Sequence, residues 1–269
     1  MEQVADYAIV REMRNGNHGL MYVAAPPARL GVDDEYVAVK VLNHHATDDE
    51  FRRIANELRL LNSTDSRHVA HLLDAGSQDG RLFIVMRYYA DGSLEDAHGR
   101  LDVDLILQCA ADAARGAHAL HELGVAHRDI KPANVLIESG RGVLADLGLA
   151  QMLGNKATTV GFGPIGALEF MAPALAWGEK ASRGTDVWSL GATLHRAVTG
   201  ESTVGTIDTS TLLAALRHVM HTEPTIGSNC PDRLVPVLRR ALRIGDTDPY
   251  PTAAALADDL EALVQQGVS

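Results

Sequence analysis

Between His127 and Asp146 the chain carries Asp129, Lys131, Asn134 and Asp146, and upstream Lys40 closes the stretch Val37-Ala38-Val39-Lys40. Carboxylate and amide oxygens, as at Asp146 and Asn134, are the hard donors that Mg²⁺ prefers. Lysines supply compact cations for an anionic group. A carboxylate on a loop can orient a hydroxyl and take its proton. Hard oxygens, cations and a carboxylate base together suit phosphoryl transfer, which asks for alignment and neutralised charge more than covalent work.

These residues need elements to hold them. Met21–Ala25, Tyr36–Leu42, Val69–Leu73 and Leu82–Met86 read as strands, with Pro26, Pro27 and Gly31 in one loop and Gln78-Asp79-Gly80 turning between the last two. Thr47-Asp48-Asp49-Glu50 is a capping box, and the helix it opens carries Ile54, Leu58 and Leu61 at helical spacing. Val103–Leu123 is alanine-rich with helical periodicity, stopped by Gly124. Asp186–Val198 is apolar nearly all round, which predicts a central, buried helix. Ser210–His221, Asp232–Leu242 and Thr252–Gln265 read as further helices. A small β-rich lobe therefore precedes a larger α-rich one, with the boundary at Arg87–Gly92.

Composition narrows the partners. The chain has 269 residues, 46% hydrophobic and 22% charged, a balance that supports a full core without disulfides. Its net charge of −11 argues against nonspecific binding to nucleic acid or anionic lipid. Cys109 and Cys230 suggest no disulfide framework and fit a reducing, cytoplasmic setting. MEQVADYAIV lacks the pattern of a signal peptide, and no stretch is long and apolar enough to span a membrane. His44-His45, His68-x-x-His71 and His118-x-x-His121 are closely spaced, but no cysteine joins them at zinc-site spacing, so no transition metal is expected.

The segment His127-Arg128-Asp129-Ile130-Lys131-Pro132-Ala133-Asn134 resembles the protein-kinase catalytic loop, H-R-D-x-K-P-x-N. Asp146-Leu147-Gly148 is close to D-F-G, and Val37–Lys40 resembles V-A-I-K. Ala172-Pro173 and Asp186-Val187-Trp188-Ser189-Leu190-Gly191 follow in family order. The chain is thus similar to the eukaryotic-type Ser/Thr protein kinases, in bacterial-looking form, along nearly its whole length. The resemblance implies an α+β, two-lobed kinase-like fold, with a small β-rich N-lobe containing one long helix and a larger α-helical C-lobe. It implies one kinase domain over 1–269, with an N-lobe at 1–86, a hinge at 87–92 and a C-lobe at 93–269.

The resemblance also assigns roles. Lys40 reaches the α/β-phosphates of ATP and is steadied by Glu57. Asp129 orients the substrate hydroxyl and takes its proton, and Lys131 steadies the transferring phosphoryl. Asn134 and Asp146 hold Mg²⁺, with Mn²⁺ as a substitute. Gly16, Gly19 and Met21 approach the nucleotide, Ala38 and Leu136 sandwich the adenine, Met86 is the gatekeeper, and Arg87 and Tyr89 bind the base through their main chain. Leu61, Leu72, His127 and Leu147 match a stacked apolar spine, which makes His127 a packing residue. Asp186 braces the catalytic loop. Thr158 and Thr159 are candidate activation-segment phosphosites, facing Arg128.

The chain departs from the family pattern in places. Arg14 stands where the phosphate loop has its first glycine. Ala167 replaces the threonine whose hydroxyl links the catalytic aspartate and lysine, and Ala174 replaces the glutamate of A-P-E. The arginine partner of that glutamate is also gone, with Tyr250 in the stretch concerned, so Tyr250 is expected to pack near Ala174. The function implied is transfer of the γ-phosphoryl of Mg·ATP to a hydroxyl of a protein substrate. The alternatives are a pseudokinase or nucleotide-binding scaffold, motivated by the departures, and a small-molecule kinase, opposed by the Ser/Thr-type loop.

Overall fold

The computed structural model describes residues 2–13, 19–45, 64, 66–147 and 165–267. The capped helix read after Thr47, together with Leu58 and Leu61, lies outside them. The chain divides into two units, which exchange between Tyr89 and Ala90, and Ser66–Val69 belongs to the second.

The first unit is built on an antiparallel sheet. Its strands are β1 (Gln3–Val4), β2 (Tyr7–Glu12), β3 (Gly19–Ala25), β4 (Val37–His45), β5 (Leu72–Gln78) and β6 (Arg81–Arg87), in the order β1-β2-β3-β4-β6-β5. Alternation along β4 divides the apolar residues between two faces. Val37, Val39 and Val41 cluster with Tyr7, Tyr22, Ala24, Phe83 and Val85. Ala38 and Leu42 cluster with Leu82, Ile84 and Met86, and Leu72 packs against this second group. Lys40 stands between Ala38 and Leu42 on that second face, because side chains repeat every two residues.

The strand read over Val69–Leu73 instead runs from Leu72 to Gln78. Asp74, Ala75 and Gly76 are weak strand formers, yet each pairs with β6, so cross-strand pairing overrides local preference here. Val69 forms one isolated parallel bridge to Leu144 in the second unit. Asp79 and Gly80 turn the chain with positive φ of 51° and 75°, as the sequence suggests.

The second unit holds α1 (Val103–Glu122), β7 (Val135–Glu138), β8 (Arg141–Leu144), α2 (Pro173–Ala176), α3 (Arg183–Thr199), α4 (Leu212–His221), α5 (Val235–Leu242) and α6 (Ala253–Gly267). Asp102 caps α1 by accepting the Leu105 N–H at 2.8 Å. The alanines Ala110, Ala111, Ala113, Ala114 and Ala117 are buried, and their small side chains let α6 and β8 pack closely on α1. Helix α3 is buried along most of its length, as its composition predicts. It begins at Arg183, not Asp186, because Ser182 and Thr185 form a capping box. The stretch read as one helix from Asp232 is a 3₁₀ turn, Asp232–Leu234, leading into α5.

Candidate active site

The catalytic loop runs from the end of α1 to β7 and is held from beneath by Asp186. This carboxylate is 1% exposed and accepts the backbone N–H of His127 at 2.7 Å and of Arg128 at 3.0 Å. It also takes Nε2–H of His121 at 2.7 Å. Arg128 has a φ of 73°, a conformation that costs a non-glycine residue about 1–3 kcal/mol. The fixed acceptors on Asp186 hold the backbone in that shape. The bracing role read for Asp186 thus has a direct geometry, and His121 joins it.

Above this brace, the polar side chains of the loop converge. Lys131 Nζ donates to both carboxylate oxygens of Asp129, at 3.0 and 2.8 Å. Asn134 Nδ2 donates to the Asp129 carbonyl at 2.7 Å and to its carboxylate at 3.0 Å. The nitrogen of the Asn134 amide is therefore committed, which leaves its Oδ1 as the oxygen for a hard cation. Ala145 N–H donates to the Asn134 carbonyl at 2.9 Å, so Asp146 follows directly from a residue bonded to the loop. Asp146 has a φ of 58°. An amide oxygen and a carboxylate suit Mg²⁺, which takes few protein ligands and keeps water or phosphate in its other positions.

His127 is 1% exposed, and its Nε2–H donates to the Ala145 carbonyl at 3.0 Å. Burial pushes its pKa down, so the ring is neutral, in keeping with a packing role. Leu147 is buried in the same unit. Leu136 pairs with Val143 across the β7–β8 hairpin and is half-buried.

The first unit carries Met21, Ala38, Lys40, Met86, Arg87 and Tyr89. Met21 lies opposite Lys40 across β3 and β4, and Ala38 lies opposite Met86 across β4 and β6. Ala38 and Met86 share one apolar cluster. The Arg87 side chain pairs with Asp34 at 3.1 Å. Tyr89 is buried. Gly19 opens β3, and a Cβ there would lie 2.1 Å from the Val41 carbonyl oxygen, so close strand packing already demands glycine. Arg14, Gly16, Glu57, Thr158 and Thr159 lie outside the described residues.

Two departures acquire a physical account. The Asp129–Lys131 link that Ala167 does not supply is made directly by the two charged side chains. Tyr250 finds its partners in Asp259 and Arg240: the hydroxyl donates to the Asp259 carboxylate at 2.6 Å, and the Arg240 guanidinium lies 4.0 Å over the ring. This acid–base pair accounts for the Tyr250 hydroxyl. Among the described residues, no group of three or more His, Cys, Asp or Glu side chains could hold a metal ion.

The missed features are long-range. Nothing in the spacing of His121 pointed to Asp186, 65 residues away. Nor did sequence reasoning find Asp112, fully buried on α1, which accepts from Arg141 at 2.6 and 2.8 Å and from the Gly142 N–H at 3.0 Å.

Residues 7–243 match the protein kinase domain family, and the chain belongs to it. Serine/threonine-protein kinase PknK of Mycobacterium tuberculosis is 32% identical over 274 residues, covering 98% of this chain and 24% of PknK. Tyrosine-protein kinase MasK of Myxococcus xanthus is 26% identical over 287 residues, covering 100% of this chain and 44% of MasK. The crystal structure of the Mycobacterium tuberculosis PknI kinase domain matches with a TM-score of 0.69 and 26% identity, over 97% of this chain and 96% of that one. The chain is a bacterial protein kinase domain of the eukaryotic Ser/Thr type, a class that uses ATP and a divalent metal. It spans about a quarter of the length of PknK. Among the described residues, no helix is long and apolar enough to cross a membrane.

Proposed function

We propose that this chain transfers the γ-phosphoryl of ATP to a serine or threonine hydroxyl of a protein, with Mg²⁺ as its metal and Mn²⁺ able to replace it. The observation that carries this reading is the convergence of Lys131 and Asn134 on the carboxylate of Asp129. Asp129 is fixed on two sides, so it can accept one further hydrogen bond in a defined direction, from the acceptor hydroxyl, and then take its proton. Lys131 holds that carboxylate and offers its charge to the transferring group. The lysine two residues after Asp129 favours the Ser/Thr branch over tyrosine.

Asn134 Oδ1 and the Asp146 carboxylate are the oxygens assigned to the metal, whose contribution when bound is to neutralise phosphate charge. Lys40, steadied by Glu57, is assigned to the α/β-phosphates. Gly16, Gly19, Met21, Ala38, Met86, Leu136 and the main chain of Arg87 and Tyr89 are assigned to the rest of the nucleotide. Residues 1–86, 87–92 and 93–269 serve as N-lobe, hinge and C-lobe. Phosphorylation of Thr158 or Thr159 is assigned an activating role. A cytoplasmic setting fits Cys109 and Cys230, which are both free and buried, with burial pushing the Cys109 thiol up to about 12. The direct Asp129–Lys131 pair supports transfer over a nucleotide-binding scaffold.

Purified protein with labelled Mg·ATP and a generic protein substrate tests this. Label should reach serine or threonine, and Asp129→Asn should lower the rate about 10²–10⁴-fold, the usual weight of a general base, while nucleotide binding persists. Nucleotide binding without transfer by the unaltered chain would overturn the reading.

A further inference from the structure

Strand β2 carries a bulge. Ile9 pairs with Ala24 and Arg11 with Val23, so Val10 is an extra residue on β2, and it is 54% exposed. Bulges recur beside functional sites, where they re-aim a side chain. Here the shift sets Arg11 in one row with Val23, Ala38 and Met86, each paired with the next across β2, β3, β4 and β6. Directly paired residues share a face, so Arg11 stands on the face of Ala38 and Met86, whereas Ile9 packs on the opposite cluster. In an unbroken register Arg11 would fall opposite Tyr22, a member of that opposite cluster.

Arg11 reaches across the face it shares with Ala38. Its Nη2–H donates to the Tyr88 hydroxyl at 2.5 Å, and its guanidinium carbon lies 5.6 Å from the centre of the Tyr88 ring, within cation–π range. Tyr88 follows β6, which is three strand spacings from β2, or about 14 Å in a flat sheet. Side chains standing up from a flat sheet do not converge over that separation, so the face between them is concave.

Both ends of the contact adjoin groups assigned to the nucleotide. Tyr88 lies between Arg87 and Tyr89, whose main chains are assigned to the base. Arg11 lies two residues before Met13, whose N–H donates to the carbonyl of Met21 at 2.8 Å. Arg11 is exposed and Tyr88 half-buried, so packing of the core does not account for holding this arginine against ring and hydroxyl.

We infer that Arg11 and Tyr88 form a clasp across the adenine face and act as positioning residues for the nucleotide. The clasp ties the β2–β3 hairpin to the segment after β6 and slows the departure of ATP and ADP. The inference rests on the assignment of Ala38, Met86 and the adjoining main chain to adenine in the phosphotransfer reading, and it goes beyond that reading in naming what keeps the site closed.

Stopped-flow release of the fluorescent analogue mant-ADP from the full chain, with Mg²⁺, tests this. Arg11→Ala should speed release about three- to tenfold, equivalent to roughly 0.7–1.4 kcal/mol. The KM for ATP should rise by a similar factor, with a smaller change in kcat. Tyr88→Leu should act alike, and the double variant should be no faster than the faster single one, because both changes remove one contact. Arg11→Lys, which keeps a cation for the ring and a donor for the hydroxyl, should recover part of the effect. Thermal midpoints of the variants should match that of the unaltered chain. Unchanged release in the single variants would overturn the clasp, as would additive effects in the double variant or a fall in kcat with KM unchanged. An effect of Arg11→Ala that Tyr88→Leu does not share would also overturn it, by making Arg11 a lone cation for phosphate. Should the unaltered chain bind neither mant-ATP nor mant-ADP, the nucleotide reading fails and the clasp falls with it, whereas tight binding with indifferent variants removes the clasp alone.

Discussion

The buried carboxylate of Asp186 receives the backbone N–H of His127 at 2.7 Å, across 59 residues of chain. One side chain at the start of α3 thereby shapes the loop that presents Asp129. The same carboxylate receives the Arg128 N–H and the His121 ring, so its removal strands three donors in the interior. Asp186→Ala should cost about 3–5 kcal/mol, the scale for breaking a buried charged network, and should abolish transfer. Urea unfolding followed by Trp188 fluorescence checks the first, and the labelled-ATP assay the second. A variant with unchanged stability would mean that water replaces the carboxylate easily.

Histidines set the acid limit of stability. Burial lowers the pKa of His127, His195 and His68 below the ordinary 6.5, with the Asp112 carboxylate opposing the shift at His68. Below pH 6.5 the unfolded chain takes protons that the folded chain refuses, so stability falls as pH falls through that window. Each refused proton contributes up to about 1.4 kcal/mol per pH unit. Denaturant midpoints measured at pH 7.5, 6.5 and 5.5 should therefore decline, steeply in the last interval. His195→Asn, which can preserve a donor and an acceptor, should flatten the decline.

Helix α1 approaches the Ser66–Val69 segment at Gly116. A Cβ at Gly116 would sit 2.4 Å from the His68 carbonyl oxygen, which is itself the acceptor for the Leu144 N–H at 2.8 Å. The obstacle is backbone, with no flexible end to swing aside. Gly116→Ala should thus destabilise by about 1–3 kcal/mol through overpacking, although alanine is the better helix former by about 1 kcal/mol. Because Leu144 is two residues before Asp146, the variant should also weaken metal-dependent nucleotide binding. Thermal melts with and without Mg·ATP separate the two effects.

What the residues reveal unaided depends on range. Asp129, Lys131 and Asn134 lie within one short loop, so their order in the chain is already nearly their order in space. The buried face of α3 is legible because its apolar residues are dense, but its first turn is not, since Ser182 and Thr185 are polar and reveal themselves only as partners. Strand β5 is displaced from its apparent position because Asp74–Gly76 have no β preference of their own and owe their conformation to β6. His121 on Asp186 and Arg141 on Asp112 join residues far apart in the chain, and no periodicity records such pairings. Tyr250 follows the same rule: the loss of a paired charge can be read from sequence, but the contacts of Tyr250 with Asp259 and Arg240 cannot.

The Lys131–Asp129 pair makes a sharper prediction about Ala167. With Nζ at 2.8 Å from the carboxylate, the two charges are already joined, and both side chains are largely shielded, at 16% and 17% exposure. A threonine hydroxyl is not needed to bridge them. Ala167→Thr should leave kcat within about twofold, since an added neutral hydrogen bond contributes only about 0.5–1.5 kcal/mol net and here displaces a contact already made. On the proposed assignment of Asp129 as base and Lys131 to the transferring phosphoryl, Lys131→Ala removes a charge from both and should lower kcat about 10²-fold or more, the scale of losing one electrostatic stabiliser, with a smaller change in the KM for ATP. Ala167→Thr added to the Lys131→Ala background should recover little, because a hydroxyl replaces neither the charge nor the reach of the ammonium. Steady-state kinetics on the two single variants and the double variant decides it. A large rise in kcat for Ala167→Thr alone would mean that the direct pair is an imperfect substitute and that this kinase domain runs below the rate its loop could reach.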